Sequence, residues 1–138
     1  INDNYDPIKS HFFPALINKI HNAKIKKKKI IILWGNGKPK RELLYVEDFA
    51  DACIFFMRKK TKESFINIGS GIEKTIKGFA KYIMKRLNVN LKIKYDLTKP
   101  NGMQRKKLDL SISKKYGWKS KTNLDEAFEK VYLDYLKN

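Results

Sequence analysis

Apolar residues return at helical spacing in the first part of the chain, after a polar start rich in turn-forming residues. Ser10 is a favourable N-cap residue, and Pro14 falls within the first turn, where its missing N–H group is harmless. The pattern therefore predicts a helix that begins after Ser10 and is followed by a basic, exposed connector at residues 24–29. Its apolar stripe consists of Phe13, Leu16, Ile17 and Ile20.

A second helix is predicted to begin near Glu47. Its apolar side chains fall on one face, which should point towards a core. The members of this face are Val46, Phe49, Ala50, Cys53 and Met57. Because Cys53 belongs to it, we interpret this cysteine as a buried structural thiol and not as a nucleophile.

Capping residues mark two further helices. Thr75 is predicted to cap a helix that runs to about Asn88, and Asn123 is predicted to cap the last helix, with Glu126 three residues later as in a capping box. A short helix is also expected within residues 109–116, ending at Gly117. In both capped helices the apolar residues recur at the spacing of a core-facing stripe.

Short apolar or alternating runs predict strands at Ile30–Trp34, at residues 42–45, 65–68 and 91–95. Helices and strands alternate, which indicates an α/β or α+β fold, and our interpretation is α/β. The apolar runs at Ile30–Trp34 and 65–68 are typical of strands with neighbours on both sides. A chain of this length supplies few such neighbours, so the pattern points to a piece of a larger sheet.

Composition narrows the classes of function. The 138 residues allow about one domain with a core, and the 42% hydrophobic content argues against disorder. The longest apolar run, Ile30–Trp34, is too short to span a membrane. A single cysteine excludes an internal disulfide and fits a reducing, cytoplasmic location.

The net charge of +17 raises the possibility of a nucleic-acid-binding module. Lysine supplies nearly all of this charge, whereas arginine is the better group for bidentate contacts with phosphates and bases. The only arginines are Arg41, Arg58, Arg86 and Arg105. We therefore expect a solvated basic surface and no nucleic-acid partner, and we keep the nucleic-acid module as the alternative from a different class.

Few residues offer catalytic or ligand-binding chemistry. His11 and His21 are ten residues apart without an acidic partner nearby, so no metal site is predicted. Two Gly-x-Gly elements, Gly35/Gly37 and Gly69/Gly71, lack the third glycine of a dinucleotide fingerprint and are interpreted as turns. Trp34 ends a predicted strand just before a glycine turn. An aromatic surface there, with a nearby guanidinium from Arg41 or Arg105, suits a nucleotide base and its diphosphate.

The stretch from Trp34, Trp-Gly-Asn-Gly-Lys-Pro-Lys-Arg-Glu-Leu-Leu-Tyr-Val-Glu-Asp-Phe-Ala-Asp-Ala, resembles the extended short-chain dehydrogenase/reductase family. Within that family it is similar to the C-terminal part of the GDP-L-fucose synthases. Three more stretches agree in order and spacing, so the resemblance covers nearly the whole chain. They are Asp3-Asn-Tyr-Asp-Pro with Ser10-His11, Phe65-Ile-Asn-Ile-Gly-Ser-Gly, and Lys99-Pro-Asn-Gly with Arg105-Lys.

The resemblance implies an enzyme that converts GDP-4-keto-6-deoxy-D-mannose to GDP-L-fucose by 3,5-epimerisation and NADPH-dependent 4-reduction. His11 matches the family's acid–base histidine, which is also placed near the cofactor, and an imidazole titrates in the range that such chemistry needs. The family's contacts with the GDP-sugar fall on Lys19, Trp34, Arg41 and Asn101, and Arg105 is a further candidate. Asn101 stands where the family has an aspartate.

The same resemblance makes residues 1–138 a C-terminal substrate-binding portion. The family's Gly-rich cofactor loop, its Ser-Tyr-Lys set and its epimerisation cysteine belong to an N-terminal Rossmann half. NADP is therefore expected to bind mainly to that half, and the chain alone is expected to be inactive. A homodimer is expected for the full-length enzyme. Another nucleotide-sugar epimerase or dehydratase of the same superfamily is the alternative within this class.

Overall fold

The computed structural model describes residues 3–6 and 9–137. Pro7, the last residue of the N-terminal motif above, lies outside the described residues. Within these residues, five helices and five strands follow one another. In order they are α1 (Phe12–Ile25), β1 (Ile30–Trp34), β2 (Lys40–Glu42), α2 (Val46–Met57), β3 (Glu73–Thr75), α3 (Ile76–Arg86), β4 (Lys92–Asp96), β5 (Arg105–Lys106), α4 (Ser111–Lys115) and α5 (Leu124–Tyr135).

The described residues divide into two compact units. One, here called the sheet unit, comprises residues 3–6, 9–40 and 74–105. The other, the α2 unit, comprises residues 41–73 and 106–137. The strands form a parallel pair, β1-β4, and a three-stranded sheet in the order β3-β2-β5. The predicted α/β class is confirmed.

The core of the sheet unit lies where α1 packs on α3 and on β1. Ile17, Ile20, Phe79 and Ile83 are fully buried there, and the Phe79 ring lies 5.6 Å from the Phe13 ring. Thr75 caps α3 as predicted, because its Oγ1 accepts a hydrogen bond of 2.9 Å from the Gly78 N–H. α3 ends at Arg86, two residues before the predicted end, and Asn88 then adopts a positive φ of 49°.

Two predictions about this unit are wrong in detail. His11, not Ser10, is the N-cap of α1, since His11 keeps an extended backbone and the helix begins at Phe12. β1 is buried on one face only: Ile31 and Leu33 are buried, whereas Ile32 and Trp34 are about half exposed. The strand contacts α1 on one face, and within the described residues nothing covers the other to the same degree.

The α2 unit is organised by carboxylates on α2. The buried Asp48 accepts hydrogen bonds from the Lys121 N–H, the Thr122 N–H and the Thr122 hydroxyl. The indole N–H of the buried Trp118 donates to Asp51 at 3.1 Å. Asn123 caps α5 as predicted by accepting from the Glu126 N–H at 2.9 Å. These bonds hold one side of α2 against the segment that leads into α5.

The orientation of α2 is the opposite of the predicted one. Its buried residues are Asp48 and Ala52, while Val46, Phe49 and Met57 are exposed. Cys53 is also exposed, so the prediction of a buried thiol is wrong. The polar side of α2 is the buried one because Asp48 and Asp51 accept hydrogen bonds from backbone and side-chain donors there. Burial of a carboxylate without donors would cost free energy.

Two predicted strands also differ from the structure. The second strand is Lys40–Glu42 and ends before residues 43–45. Residues 65–68 form no strand within the described part of the chain. A strand needs a neighbour to satisfy its backbone groups, and the described residues place none beside this segment.

Candidate functional site

His11 stands at the start of α1 with an exposed side chain. Its backbone carbonyl accepts from the Ala15 N–H at 3.1 Å, and its imidazole makes no capping hydrogen bond. The Ser10 hydroxyl donates to the same carbonyl at 3.3 Å. The imidazole is therefore presented to solvent on a fixed backbone, which suits a group that takes and returns a proton.

Lys19 connects α1 to β1. Its Nζ donates to the Ile32 carbonyl oxygen at 2.7 Å, and burial lowers the pKa of this ammonium below the ordinary lysine value. The Lys29 carbonyl and the Gly35 N–H, at the two ends of β1, form hydrogen bonds with β4. Backbone groups of successive residues in a strand point to opposite edges, so the Ile32 carbonyl lies on the edge of β1 away from β4. Lys19 thus places a positive charge on the edge of β1 that β4 does not use.

Trp34 ends β1 at its carboxyl end and is 49% exposed. The Nζ of Lys99 lies 5.7 Å from the centre of the indole ring, a cation–π contact. Lys99 follows β4, which is parallel to β1, so the two carboxyl ends meet at one edge of the sheet. The exposed indole can stack on a base, and the ammonium above it can contact an anionic phosphate.

Asn101 lies beside the turn that follows Trp34. Its Oδ1 accepts a hydrogen bond of 2.7 Å from the Asn36 N–H. Gly35 has a positive φ of 63°, and a Cβ there would lie 2.3 Å from this same Oδ1. The Gly35–Gly37 element is therefore a turn shaped by close contact with Asn101, in agreement with its interpretation as a turn.

The two candidate arginines lie on the short strands. Arg41 is the middle residue of β2 and half-buried, whereas Arg105 begins β5 and is exposed. Arg41 belongs to the α2 unit, while Arg105 belongs to the sheet unit together with His11 and Lys19. The structure brings Asn101 to the turn that follows Trp34. Lys19 lies on α1, and its side chain bonds to β1, the strand that ends at Trp34.

Sequence reasoning missed the role of Glu42. Its Oε1 accepts from the Gly71 N–H at 2.6 Å, and its Oε2 accepts from the Leu108 N–H at 3.1 Å. Ser70 donates its hydroxyl to the Leu43 carbonyl, and the Ile72 N–H donates to the Ser70 oxygen at 2.9 Å. Glu42 is a single carboxylate in a short strand, and the neighbouring sequence does not indicate hydrogen-bond partners as distant as Gly71 and Leu108.

These contacts bear on the cofactor. The Gly69–Gly71 turn donates its Gly71 N–H to a carboxylate, and the Gly35–Gly37 turn leads into β2, not into a helix. A dinucleotide phosphate site needs free N–H groups at the start of a helix. Neither glycine turn therefore has the arrangement of a dinucleotide phosphate loop, in agreement with their interpretation as turns.

Neither a metal-binding cluster nor a membrane-spanning helix occurs among the described residues. No group of three or more metal-binding side chains comes together there. None of the described helices combines the length and the apolar character needed to cross a membrane.

The parallel strand pair and the exposed residues at its carboxyl edge define a protein of the α/β class. The sequence model of the NAD dependent epimerase/dehydratase family matches residues 2–69. Two proteins of Arabidopsis thaliana, "GDP-L-fucose synthase 1" and "Putative GDP-L-fucose synthase 2", are each 39% identical over 137 residues. The chain is therefore similar to the NAD dependent epimerase/dehydratase family over residues 2–69 and to these two proteins over nearly its whole length.

A solved structure gives the same picture of the fold. The crystal structure of a GDP-L-fucose synthetase from Naegleria fowleri bound to NADP superposes with a TM-score of 0.86 at 24% identity. The matches to the two Arabidopsis proteins and to the Naegleria structure each cover 99% of the chain. The chain spans only 42% of the two Arabidopsis proteins and 43% of the Naegleria chain. It therefore corresponds to less than half of the relatives that it matches.

Proposed function

We propose that the chain is the nucleotide-sugar-binding half of a GDP-L-fucose synthase-like enzyme. The observation that carries this proposal is the half-exposed Trp34 at the carboxyl edge of β1-β4, with Lys99 over its ring and Asn101 beside the following turn. The GDP-L-fucose synthase names of the two Arabidopsis relatives support GDP as the nucleotide. Ligands of open parallel sheets bind at this edge of the strands.

In this proposal each candidate residue has its own role in binding or proton transfer. Trp34 stacks on or beside the base, while Lys19, Arg41 and Arg105 stabilise the diphosphate through their positive charge. Asn101 Oδ1 accepts a hydrogen bond from the Asn36 N–H, so its amide Nδ2 is the group that contacts the sugar nucleotide. His11 exchanges a proton with the sugar as general acid or base and contributes to the cofactor contact.

The reaction is the conversion of GDP-4-keto-6-deoxy-D-mannose to GDP-L-fucose, with hydride supplied by NADPH. NADP binds mainly to an N-terminal Rossmann half, in keeping with the engaged glycine turns of this chain. The chain alone is inactive, and the assembled enzyme is a cytoplasmic homodimer. NADPH oxidation by the isolated chain with the keto sugar would contradict the proposed inactivity.

Fluorescence offers a direct test of nucleotide binding. Of the two tryptophans Trp34 is exposed and Trp118 is buried, so a nucleotide at the sheet edge should quench Trp34 alone. GDP-mannose should quench more strongly than UDP-glucose or dTDP-glucose, and Trp34→Phe should abolish the response. Arg41→Ala should weaken binding more than the matched change Arg58→Ala on an arginine outside the candidate set.

The alternatives give different results in the same assay. Equal or stronger quenching by UDP-glucose would favour another nucleotide-sugar epimerase or dehydratase. Tight binding of nucleic acid that falls steeply with salt, without any response to nucleotide sugars, would overturn the proposal in favour of a basic nucleic-acid-binding module.

A further inference from the structure

A basic groove lies between α3 and β4 of the sheet unit, and we call it the α3–β4 groove. Its volume is about 530 Å³, which is in the range of clefts that hold ligands. Three exposed lysines of α3 supply its charge: Lys77, Lys81 and Lys85. Buried or half-buried apolar residues supply most of the remaining lining, namely Met84, Val89, Leu91 and Ile93.

The three lysines form a single row along α3. They are four residues apart, about one turn of helix, so they project from one side of α3 at intervals of about 6 Å. None of the three forms an ion pair with a carboxylate among the described residues. The row therefore offers three positive charges at a regular spacing to an anionic partner.

β4 leaves one of its edges without a partner strand. The Lys92 N–H donates to the Lys29 carbonyl at 2.9 Å, so the backbone groups of Lys92 face β1. Backbone groups of successive residues in a strand point to opposite edges, so those of Ile93 and Tyr95 face away from β1. Among the described residues β4 pairs with β1 alone. The outer edge of β4 can therefore accept a further strand.

The lysine row runs alongside this outer edge. At one end Lys77 and Tyr95 meet at the Gly37 turn, where a Cβ on Gly37 would lie 3.3 Å from the Lys77 Cβ and 2.8 Å from the Tyr95 ring. At the other end the Val89 N–H donates to the Met84 carbonyl at 3.0 Å, which returns the chain to the last turns of α3. The helix and the strand are therefore antiparallel along the groove.

The spacing of the row matches that of an extended peptide. Alternate side chains of a strand are about 6.6 Å apart, close to the interval of about 6 Å between the lysines. The row rises about 12 Å in all, and residues 91–95 span about 13 Å. A peptide with an acidic residue at every second position, added to the outer edge of β4, would thus face each lysine with one carboxylate.

The charge of the groove decides between possible occupants. Pairing of the β4 edges of two copies would bring together two lysine rows and the exposed Lys92 and Lys94 of each copy. Like charges on neighbouring strands destabilise a sheet, so a second copy is disfavoured. A nucleic acid would use the charge of the row but not the unpaired backbone groups of β4. Both features together favour an acidic segment of a protein.

We propose that the α3–β4 groove binds an extended acidic peptide segment of a partner protein, which adds to β4 as a further strand. The N–H and C=O groups of Ile93 and Tyr95 bond to the backbone of that segment, and the three lysines pair with its carboxylates. The proposed function gives no role to these residues, so the two proposals stand or fall separately.

The test is a calorimetric titration of the full chain with an end-blocked eight-residue peptide in which glutamate alternates with threonine. A one-to-one complex is expected. Two control peptides should bind at least about tenfold more weakly. One has glutamine in place of every glutamate, and the other has the same composition with its glutamates grouped together.

Variants of the chain test the lysine row. Lys81→Gln should weaken binding of the alternating peptide about threefold, as expected for the loss of one exposed ion pair. Changing all three groove lysines to glutamine should weaken it at least about tenfold. A matched triple variant in the α2 unit should stay within about twofold of the unsubstituted chain, because its exposed lysines lie outside the groove. It carries Lys60→Gln, Lys107→Gln and Lys115→Gln.

Hydrogen exchange on the unsubstituted chain separates strand addition from charge attraction alone. The peptide should slow exchange at the amides of Ile93 and Tyr95, whereas the amides of Lys92 and Lys94 already face β1 and should change little. The proposal is overturned by an absence of binding or by unchanged exchange at Ile93 and Tyr95. Equal binding of the grouped peptide, or equal effects of the two triple variants, would also overturn it. Displacement of the peptide by a lower concentration of an equally charged single-stranded oligonucleotide would overturn it in favour of nucleic acid.

Discussion

The side-chain oxygen of Asn101 accepts a hydrogen bond of 2.7 Å from the backbone N–H of Asn36. This bond joins the loop after β4 to the turn after β1, at the edge of the sheet where Trp34 is exposed. The residue that matches the family's substrate contact therefore also fixes the turn beside the proposed nucleotide site. Stability and binding should both respond to changes at Asn101, but through different atoms.

Asn101→Ala should lower the free energy of unfolding by about 1 kcal/mol, because the Asn36 N–H loses its acceptor. Asn101→Asp keeps an oxygen acceptor and should stay close to the unsubstituted chain in stability. Urea unfolding monitored by circular dichroism measures both. Asn90→Ala is the control for an exposed asparagine of the same unit, and an equal loss there would show that the bond to Asn36 contributes nothing.

Gly35→Ala should cost about 3 kcal/mol of unfolding free energy, since the backbone stays at positive φ and the new Cβ meets Asn101 Oδ1. Gly71→Ala is the matched control. Its φ is also positive, at 77°, but the nearest atom to its Cβ is 3.9 Å away, so only the backbone penalty of about 1 kcal/mol remains. If Asn101 causes the difference, adding Asn101→Ala should reduce the cost of Gly35→Ala.

Local signals in the sequence predicted the parts of the fold that depend on neighbours along the chain. The caps at Thr75 and Asn123 each accept an N–H from three residues ahead, so a short motif contains the whole interaction. The apolar run of β1 was recognised for the same reason. The burial of β1 on one face only was not predicted, because residues near β1 in the sequence do not determine what covers its second face.

Long-range partners explain what the sequence could not predict. The side of α2 that is buried depends on Thr122, 74 residues after Asp48, and no periodicity of α2 encodes that partner. The approach of Asn101 to Asn36 depends on the parallel register of β1 and β4. The roles of His11, Lys19 and Arg41 came from family resemblance, because their spacing alone defines no site.

The carboxylate of Asp48 should be among the strongest stabilising groups of the α2 unit. Asp48→Ala removes the acceptor of two backbone N–H groups and one hydroxyl, and it should cost about 3 kcal/mol of unfolding free energy. Glu47→Ala, the adjacent change, removes an exposed ion pair of 3.7 Å with Lys130 and should cost about 0.5 kcal/mol or less. Denaturant unfolding of both variants tests the contrast, and similar losses would contradict it.

Hydrogen bonds in the turn after β4 should make the free energy of unfolding depend on pH through Asp96. The Thr98 hydroxyl and the Thr98 N–H donate to its Oδ1 at 2.6 Å and 3.1 Å, and these bonds lower the pKa of Asp96 below the ordinary aspartate value. The unfolded chain therefore binds the proton more tightly. The stabilisation is complete above the unfolded pKa and is lost as the pH falls through the folded one.

Thr98→Val removes the hydroxyl donor and should raise the pKa of Asp96 towards the ordinary value. A carbon NMR titration of the carboxyl groups measures this directly. The pKa of Asp109, which hydrogen bonds from Ser111 hold low, should stay unchanged in the variant and serves as the internal control. The stability of Thr98→Val should also fall less between neutral and acidic pH than that of the unsubstituted chain. An Asp96 carboxyl that titrates identically in both proteins would show that the Thr98 hydroxyl does not hold its charge.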